Sequence, residues 1–193
     1  MATERLLVGE TNYDGLIESF LKNAPPSSSS PIALKGSHER IKTLVNEAIE
    51  KGAKVLTGNW PPTEEDEKLN KIPNLILTNV TKDMELYSEE TFGPISIIVK
   101  VEQEQNQSED EAIVRHANES RYGLATSIYS KDLKRALNLS REVECGLLRI
   151  NEGTIADESV CPFGGSKDSG FGRFNGTEGI RQFTQYKTVS LTL

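Results

Sequence analysis

The residues of this chain whose types could do chemistry are few. Cys145 and Cys161 are its two thiols, and His38 and His116 its two imidazoles. One stretch, "CPFGGSKDSGFGRFNG" (161–176), sets glycines beside a lysine and an arginine. Such a cluster implies tight turns or a close backbone approach, and glycine-rich loops can offer amide donors to phosphate. The phosphate reading fails on detail. A P-loop requires lysine directly after its second glycine, whereas Gly170 is followed by Phe171. A G-x-G-x-x-G fingerprint built on Gly170 and Gly172 meets Asn175 where its last glycine belongs, and it follows a polar loop, not a strand. On its residues alone the stretch is a glycine-rich turn in a surface loop. The cysteines make no C-x-x-C pair and the histidines stand apart, so neither a disulfide framework nor a metal site is expected. Cys145 precedes Gly146 at the end of a predicted helix, where the partial negative charge disfavours a thiolate.

The elements that must position these residues are readable from hydrophobic spacing. "ERLLV" predicts a strand only a few residues into the chain. Tyr13, Leu16, Ile17, Phe20 and Leu21 then share one helical face, with Thr11 or Asn12 available as N-cap. "APPSSSSP" (24–31) breaks that helix and predicts a long surface loop. A second helix starts at Ser37, buries Ile41, Leu44, Val45, Ala48 and Ile49, and stops at Gly52. "AKVLTG", "NLILTNV" (74–80) and "ISIIVKV" (95–101) predict strands. Ser108 and Glu111 form a capping box for a helix reaching about Asn118. "LATSIYS" predicts a strand, 132–143 a helix closed by Gly146, "LLRIN" a strand, and "KTVSLTL" a terminal strand with one polar face. Strands alternating with amphipathic helices imply an α/β fold with a mainly parallel sheet covered by helices.

Composition narrows the function classes. A chain of 193 residues suits one domain or a large part of a bigger one, and can bury a core without staples. A net charge of −7 and a pI near 5.0, with no basic stripe, argue against nucleic acid or an anionic membrane surface as partner. No signal peptide and no apolar run of membrane-spanning length is present, so a soluble, cytoplasmic protein is expected.

Three linked stretches carry a resemblance. "EETFGP" (89–94) precedes a buried strand, "ANESRYGLATSIYSKDLKRAL" (117–137) runs loop, strand, helix, and "PFGGSKDSGFGRFNG" leads to "FTQYKTV" (183–189). In this order the chain resembles, over nearly its whole length, the C-terminal part of the aldehyde dehydrogenase superfamily. "INEGTIADES" and "GRFNG" are most similar to the branch acting on aromatic aldehydes such as salicylaldehyde or vanillin. In that family a cysteine thiolate attacks the aldehyde, hydride passes to NAD or NADP, and a glutamate-activated water releases the acid. An asparagine and a backbone amide stabilise the oxyanion, and the nucleotide sits on a separate Rossmann-type domain.

The resemblance implies the following for this chain. Glu90 matches the glutamate that hydrogen-bonds the nicotinamide ribose, Phe92 the aromatic residue against the nicotinamide end, and Leu124 a further nicotinamide contact. Phe163 would line the aldehyde entrance, and Arg173 would anchor its segment. On residues alone, Glu90 is an acidic loop residue, Phe92 a buried phenylalanine and Leu124 a core leucine. "MATERLLV" matches the residues after the family's nucleophile, so Met1 stands where the residue following that cysteine falls. No catalytic residue is therefore expected among 1–193: the nucleophile, base, oxyanion asparagine and Rossmann cofactor domain belong upstream. The expected organisation is an incomplete aldehyde dehydrogenase catalytic domain over 1–182 and an oligomerisation-type terminal strand over 183–193. Phe174, in place of the acid of "GRE", and Gln185, in place of a glutamate, depart from the family pattern. The leading expectation is a truncated relative, inactive alone, that takes NAD or NADP only weakly and has an aldehyde as the family substrate. Two alternatives stand beside it. One is a non-catalytic module associating with itself or docking on a full-length relative through "KTVSLTL"; the other is a small oxidoreductase with a rearranged site.

Overall fold

The computed structural model describes residues 2–155 and 157–192. Met1, with its place beside a nucleophile, Ala156 of "INEGTIADES" and Leu193 of the terminal strand lie outside them. The chain divides into two compact units, residues 2–117 and the residues from 118 onward. The expected catalytic-domain span of 1–182 takes in the first of these units and most of the second.

The first unit is built in chain order from β1 (Arg5–Gly9), α1 (Glu10–Asn23), β2 (Ser29–Pro31), α2 (Lys35–Glu50), β3 (Lys54–Thr57), α3 (Glu64–Lys68), β4 (Lys71–Pro73), β5 (Leu75–Thr78), α4 (Glu85–Ser88), β6 (Ile95–Val101) and α5 (Glu109–Asn118). Its sheet runs β1-β6-β5-β3. β6 pairs in parallel with β1 and β5, and β3 closes the far side antiparallel to β5. β6 carries the near-continuous apolar run that a parallel strand covered on both faces requires. Its Ile95, Ile97, Ile98, Val99 and Val101 are all buried. α2 supplies Ile41, Leu44, Val45 and Ala48 to the same core, where they join Leu75, Leu77 and Met84.

Local signals explain most boundaries. Ser108 Oγ accepts the Glu111 amide at 3.2 Å, and the Ser108 amide donates to the Glu111 carboxylate at 2.8 Å, so the predicted capping box starts α5. α2 ends at Glu50, with Lys51 as its C-cap and Gly52 next, whose φ of 109° is the left-handed geometry of a helix stop. Three expectations need correction. α1 begins at Glu10 behind Gly9, with no side-chain cap, so Thr11 and Asn12 lie inside it. α2 begins at Lys35, two residues before Ser37. The Ser/Pro loop is not wholly irregular, because Ser29–Pro31 pairs antiparallel with β4.

The second unit holds β7 (Tyr122–Gly123), β8 (Ala125–Ile128), α6 (Leu133–Glu142), β9 (Leu147–Ile150), β10 (Ser166–Lys167) and α7 (Gly176–Arg181). β8 and β9 pair in parallel around α6, which Asp132 caps by accepting the Arg135 amide at 2.9 Å. β7 and β10 form a short antiparallel ribbon. "KTVSLTL" is corrected as well: residues 184–192 form no strand, and Phe183, Tyr186, Val189 and Leu191 are exposed. Alternation alone does not make a strand, because its amides and carbonyls need a neighbouring edge. Among the described residues no helix is long and apolar enough to cross a membrane.

Ile97 is 2 % exposed at the middle of β6 and tests the central role of that strand. Ile97→Ala should lower unfolding stability by roughly 2–5 kcal/mol in urea titration, through lost burial and the cavity left behind. A cost below about 1 kcal/mol would mean that the strand is not the centre of this core.

Candidate functional site

Residues 89–94 form the turn that delivers the chain into β6. Its backbone is held by a residue from the far end of the unit. Glu4 Oε2 accepts the Thr91 amide at 2.9 Å, while Glu4 Oε1 accepts the Thr91 hydroxyl at 3.1 Å and the Phe92 amide at 3.0 Å. The Thr91 hydroxyl oxygen in turn accepts the Gly93 amide at 3.2 Å. Phe92 has a φ of 51°, a left-handed conformation that a bulky residue rarely adopts and that only surrounding contacts can sustain. Its ring is 78 % exposed, so Phe92 is not the buried core residue that its type alone would suggest.

Glu90 lies in the same turn, half-buried. From α2, Arg40 donates to the Glu90 carbonyl at 2.9 Å and places its other nitrogen 3.5 Å from the Glu89 carboxylate. Burial pushes the Glu90 carboxyl above the ordinary carboxylate range; the negative charge of Glu4 adds to this, and Arg40 opposes it. The turn thus presents one partly desolvated carboxyl and one outward aromatic ring, two residues apart.

Below this turn β1 is anchored by Arg5. Its guanidinium donates to the His116 carbonyl at 3.0 Å and lies 4.8 Å from the centre of the Tyr87 ring. The Tyr87 hydroxyl meets His116 Nδ1 at 2.7 Å. The other histidine, His38, has Nε2 3.0 Å from the Lys71 carbonyl. Both imidazoles are thus engaged by groups that hold the fold.

The second unit carries the remaining candidates. Leu124 sits half-buried between β7 and β8, and its carbonyl accepts the Leu147 amide at 3.0 Å. Phe163 is half-buried and exchanges two backbone hydrogen bonds with Phe174, at 2.9 and 2.8 Å. Their ring centroids stand 5.1 Å apart with 59° between planes, within the range of favourable aromatic pairing. Phe174, the departure from an acid, therefore packs on the proposed entrance residue. Arg173 donates to the carbonyls of Gly165 at 2.8 Å and Gly172 at 2.7 Å, which draws the stretch together from inside. The glycines themselves serve close approach: a Cβ on Gly146 would overlap the carbonyl of Gly164. Cys161 is exposed, with its thiol 3.8 Å from the Glu158 carboxylate, and Cys145 is a half-buried loop residue.

Glu4 is the residue of this site that sequence reasoning missed. The only local sign was an acid at the head of an apolar strand, and its partners lie 87 and 88 positions away.

Comparison with known proteins follows the same outline. The model of the aldehyde dehydrogenase family matches residues 1–189. The chain is 36% identical over 202 residues to salicylaldehyde dehydrogenase of Pseudomonas putida, covering 99% of this chain and 39% of that protein. It thus spans about two-fifths of the length of that curated relative. The crystal structure of a salicylaldehyde dehydrogenase from Pseudomonas putida G7 complexed with salicylaldehyde superposes with a TM-score of 0.83 at 34% identity, over 95% of this chain and 38% of the other. A Mycobacterium tuberculosis aldehyde dehydrogenase complexed with NAD+ superposes with a TM-score of 0.79 at 30% identity, over 97% and 39%.

The elevated Glu90 carboxyl predicts a pH-dependent cost. The native state keeps this proton to higher pH than the unfolded chain does, so stability falls as pH rises from the ordinary carboxylate value through the raised one. Glu90→Gln should therefore melt higher than wild type near about pH 7, with the difference fading below about pH 4. An identical difference at both pH values would show that Glu90 carries no such cost.

Proposed function

The chain belongs to the aldehyde dehydrogenase family, and we propose that its residues form the part of the catalytic domain that receives the nicotinamide end of NAD or NADP. The family reaction is oxidation of an aldehyde to a carboxylic acid, and the proposed substrate class is the aromatic aldehydes. One observation carries the reading: Glu90 and an outward-facing Phe92 share a turn whose backbone is held in a left-handed conformation. The residues fit the cofactor. Ribose hydroxyls are donors that need an acceptor, which a Glu90 carboxylate supplies. The exposed Phe92 ring offers a flat apolar face to a planar ring. When bound, the nicotinamide would supply the hydride-accepting carbon.

The protein's own part is positioning. Glu90, once ionised, accepts from the ribose and fixes its rotation, while Phe92 supports the ring from the side. In the second unit, Leu124 is a further nicotinamide contact and Phe163 part of the wall of the aldehyde entrance, by the same resemblance. Phe174 keeps that wall apolar, which suits an aromatic substrate. The group that meets the Cys161 thiol is the Glu158 carboxylate at 3.8 Å, whose negative charge disfavours the thiolate that an activated nucleophile needs, and Cys145 is a half-buried loop thiol. The 193 residues therefore do not turn over aldehyde by themselves. A second reading, association through the C-terminal segment with another copy or a longer relative, is favoured by the exposure of Phe183, Tyr186, Val189 and Leu191.

The test is NAD(P)H formation by the purified chain with salicylaldehyde, benzaldehyde and a long-chain aldehyde. No rate above buffer is expected, and NAD+ binding should be roughly millimolar or weaker. Turnover that disappears in Cys145→Ala or Cys161→Ala would instead install that cysteine as a nucleophile and overturn the reading.

A further inference from the structure

The turn that carries Glu90 and Phe92 is not stable by its own sequence. Phe92 occupies a left-handed backbone region with neither glycine's freedom nor asparagine's local hydrogen bonding to favour it. What holds it is a single carboxylate. Three donors, the Thr91 amide, the Thr91 hydroxyl and the Phe92 amide, converge on the two oxygens of Glu4 at 2.9, 3.1 and 3.0 Å. An ionised carboxylate is acceptor-only, with room for about four hydrogen bonds, and its bonds are stronger than those of a neutral acceptor. A glutamine there would turn an amide NH2 toward one of the three donors. An aspartate would fall one methylene short.

Glu4 can act as a clamp because its own backbone is fixed. Its carbonyl accepts the Ile97 amide at 2.7 Å, and the carbonyl of its neighbour Thr3 accepts the Ser96 hydroxyl at 2.6 Å. On the other side, Arg5 is tied to the His116 carbonyl and the Tyr87 ring. The head of β1 is therefore a rigid post beside β6, and the turn hangs from it by Glu4. Arg40 holds the same turn from α2 through the Glu90 carbonyl.

We propose that Glu4 is a positioning residue: its carboxylate imposes the left-handed backbone at Phe92, and so sets the outward pose of the Phe92 ring and the presentation of Glu90. As a role in cofactor placement this rests on the reading of the turn as the nicotinamide end. The clamp itself rests on the hydrogen bonds alone.

The experiment compares the full chain as wild type, Glu4→Gln and Thr91→Val. Amide hydrogen exchange is read residue by residue, and β-nicotinamide mononucleotide at millimolar concentration serves as the probe in NMR titrations. In Glu4→Gln the Thr91 and Phe92 amides should exchange roughly ten- to hundredfold faster, as expected when charge-assisted bonds are lost. The β6 amides should exchange as in wild type, and the probe-induced shifts at Phe92 should vanish. Thr91→Val removes one donor and leaves Glu4 in place, so exchange at Phe92 should rise by a smaller factor. That variant also decides the matter if Glu4→Gln does not fold. Unchanged exchange at Thr91 and Phe92 in a folded variant would overturn the clamp. So would a Glu4→Gln protein whose Phe92 responds to the probe as wild type does. If the wild-type chain itself gives no response to the probe, the cofactor reading of the turn and Glu4's role in it fall, while the exchange data alone decide the clamp.

Discussion

A strand paired in parallel on both sides has no free edge, and β6 is such a strand, with Ile95, Ile97, Ile98, Val99 and Val101 buried besides. Its hydrogen bonds to β1 and β5 are satisfied only if both neighbours are in register, and its side chains only if both faces are covered. The first unit follows from that demand. α2 covers the sheet with Ile41, Leu44, Val45 and Ala48. The chain must enter β6 at Ile95 from a fixed direction, so the preceding turn cannot wander. A turn placed immediately before the most constrained strand inherits that strand's rigidity.

That inheritance explains why an exposed phenylalanine in a sparsely populated conformation can persist. An isolated loop would relax Phe92 toward an extended backbone and tuck its ring against apolar surface. Here the post formed by Thr3, Glu4 and Arg5 and the arm of Arg40 hold the turn from two sides. Glu90 is raised by burial and by the charge of Glu4, so the contact that orders the turn also makes its neighbouring carboxyl harder to ionise. Glu4 thus orders the turn and adds to what burial already does to Glu90.

Legibility in the sequence tracked how local each cause was. "ISIIVKV" predicted β6 to the residue, because a doubly buried strand writes an apolar run with little else in it. The Ser108–Glu111 box predicted the start of α5, because both partners lie within one turn. The β2–β4 ribbon was not legible, since Ser29–Pro31 owes its pairing to Lys71–Pro73 and to nothing in its own composition. "KTVSLTL" misled for the converse reason: it has a strand's alternation, yet its described residues pair with no sheet edge. Glu90, Phe92, Leu124 and Phe163 were named through a resemblance and not through pattern. Glu4 was found through neither, because three donors converging across 87 positions leave no periodic trace.

The pairing of Phe163 with Phe174 has a consequence for the conditions under which the second unit keeps its shape. An ion pair at that position would weaken as salt is added, since screening acts within about 8 Å at physiological ionic strength. It would also fail once its acid was protonated. Two facing rings joined by a reciprocal backbone bridge carry no charge to screen and no proton to lose. Their contact also draws on apolar burial, which strengthens when sulfate or other excluded solutes are present. With a ring where the family pattern has an acid, this junction escapes charge screening and senses salt only through the burial of apolar surface.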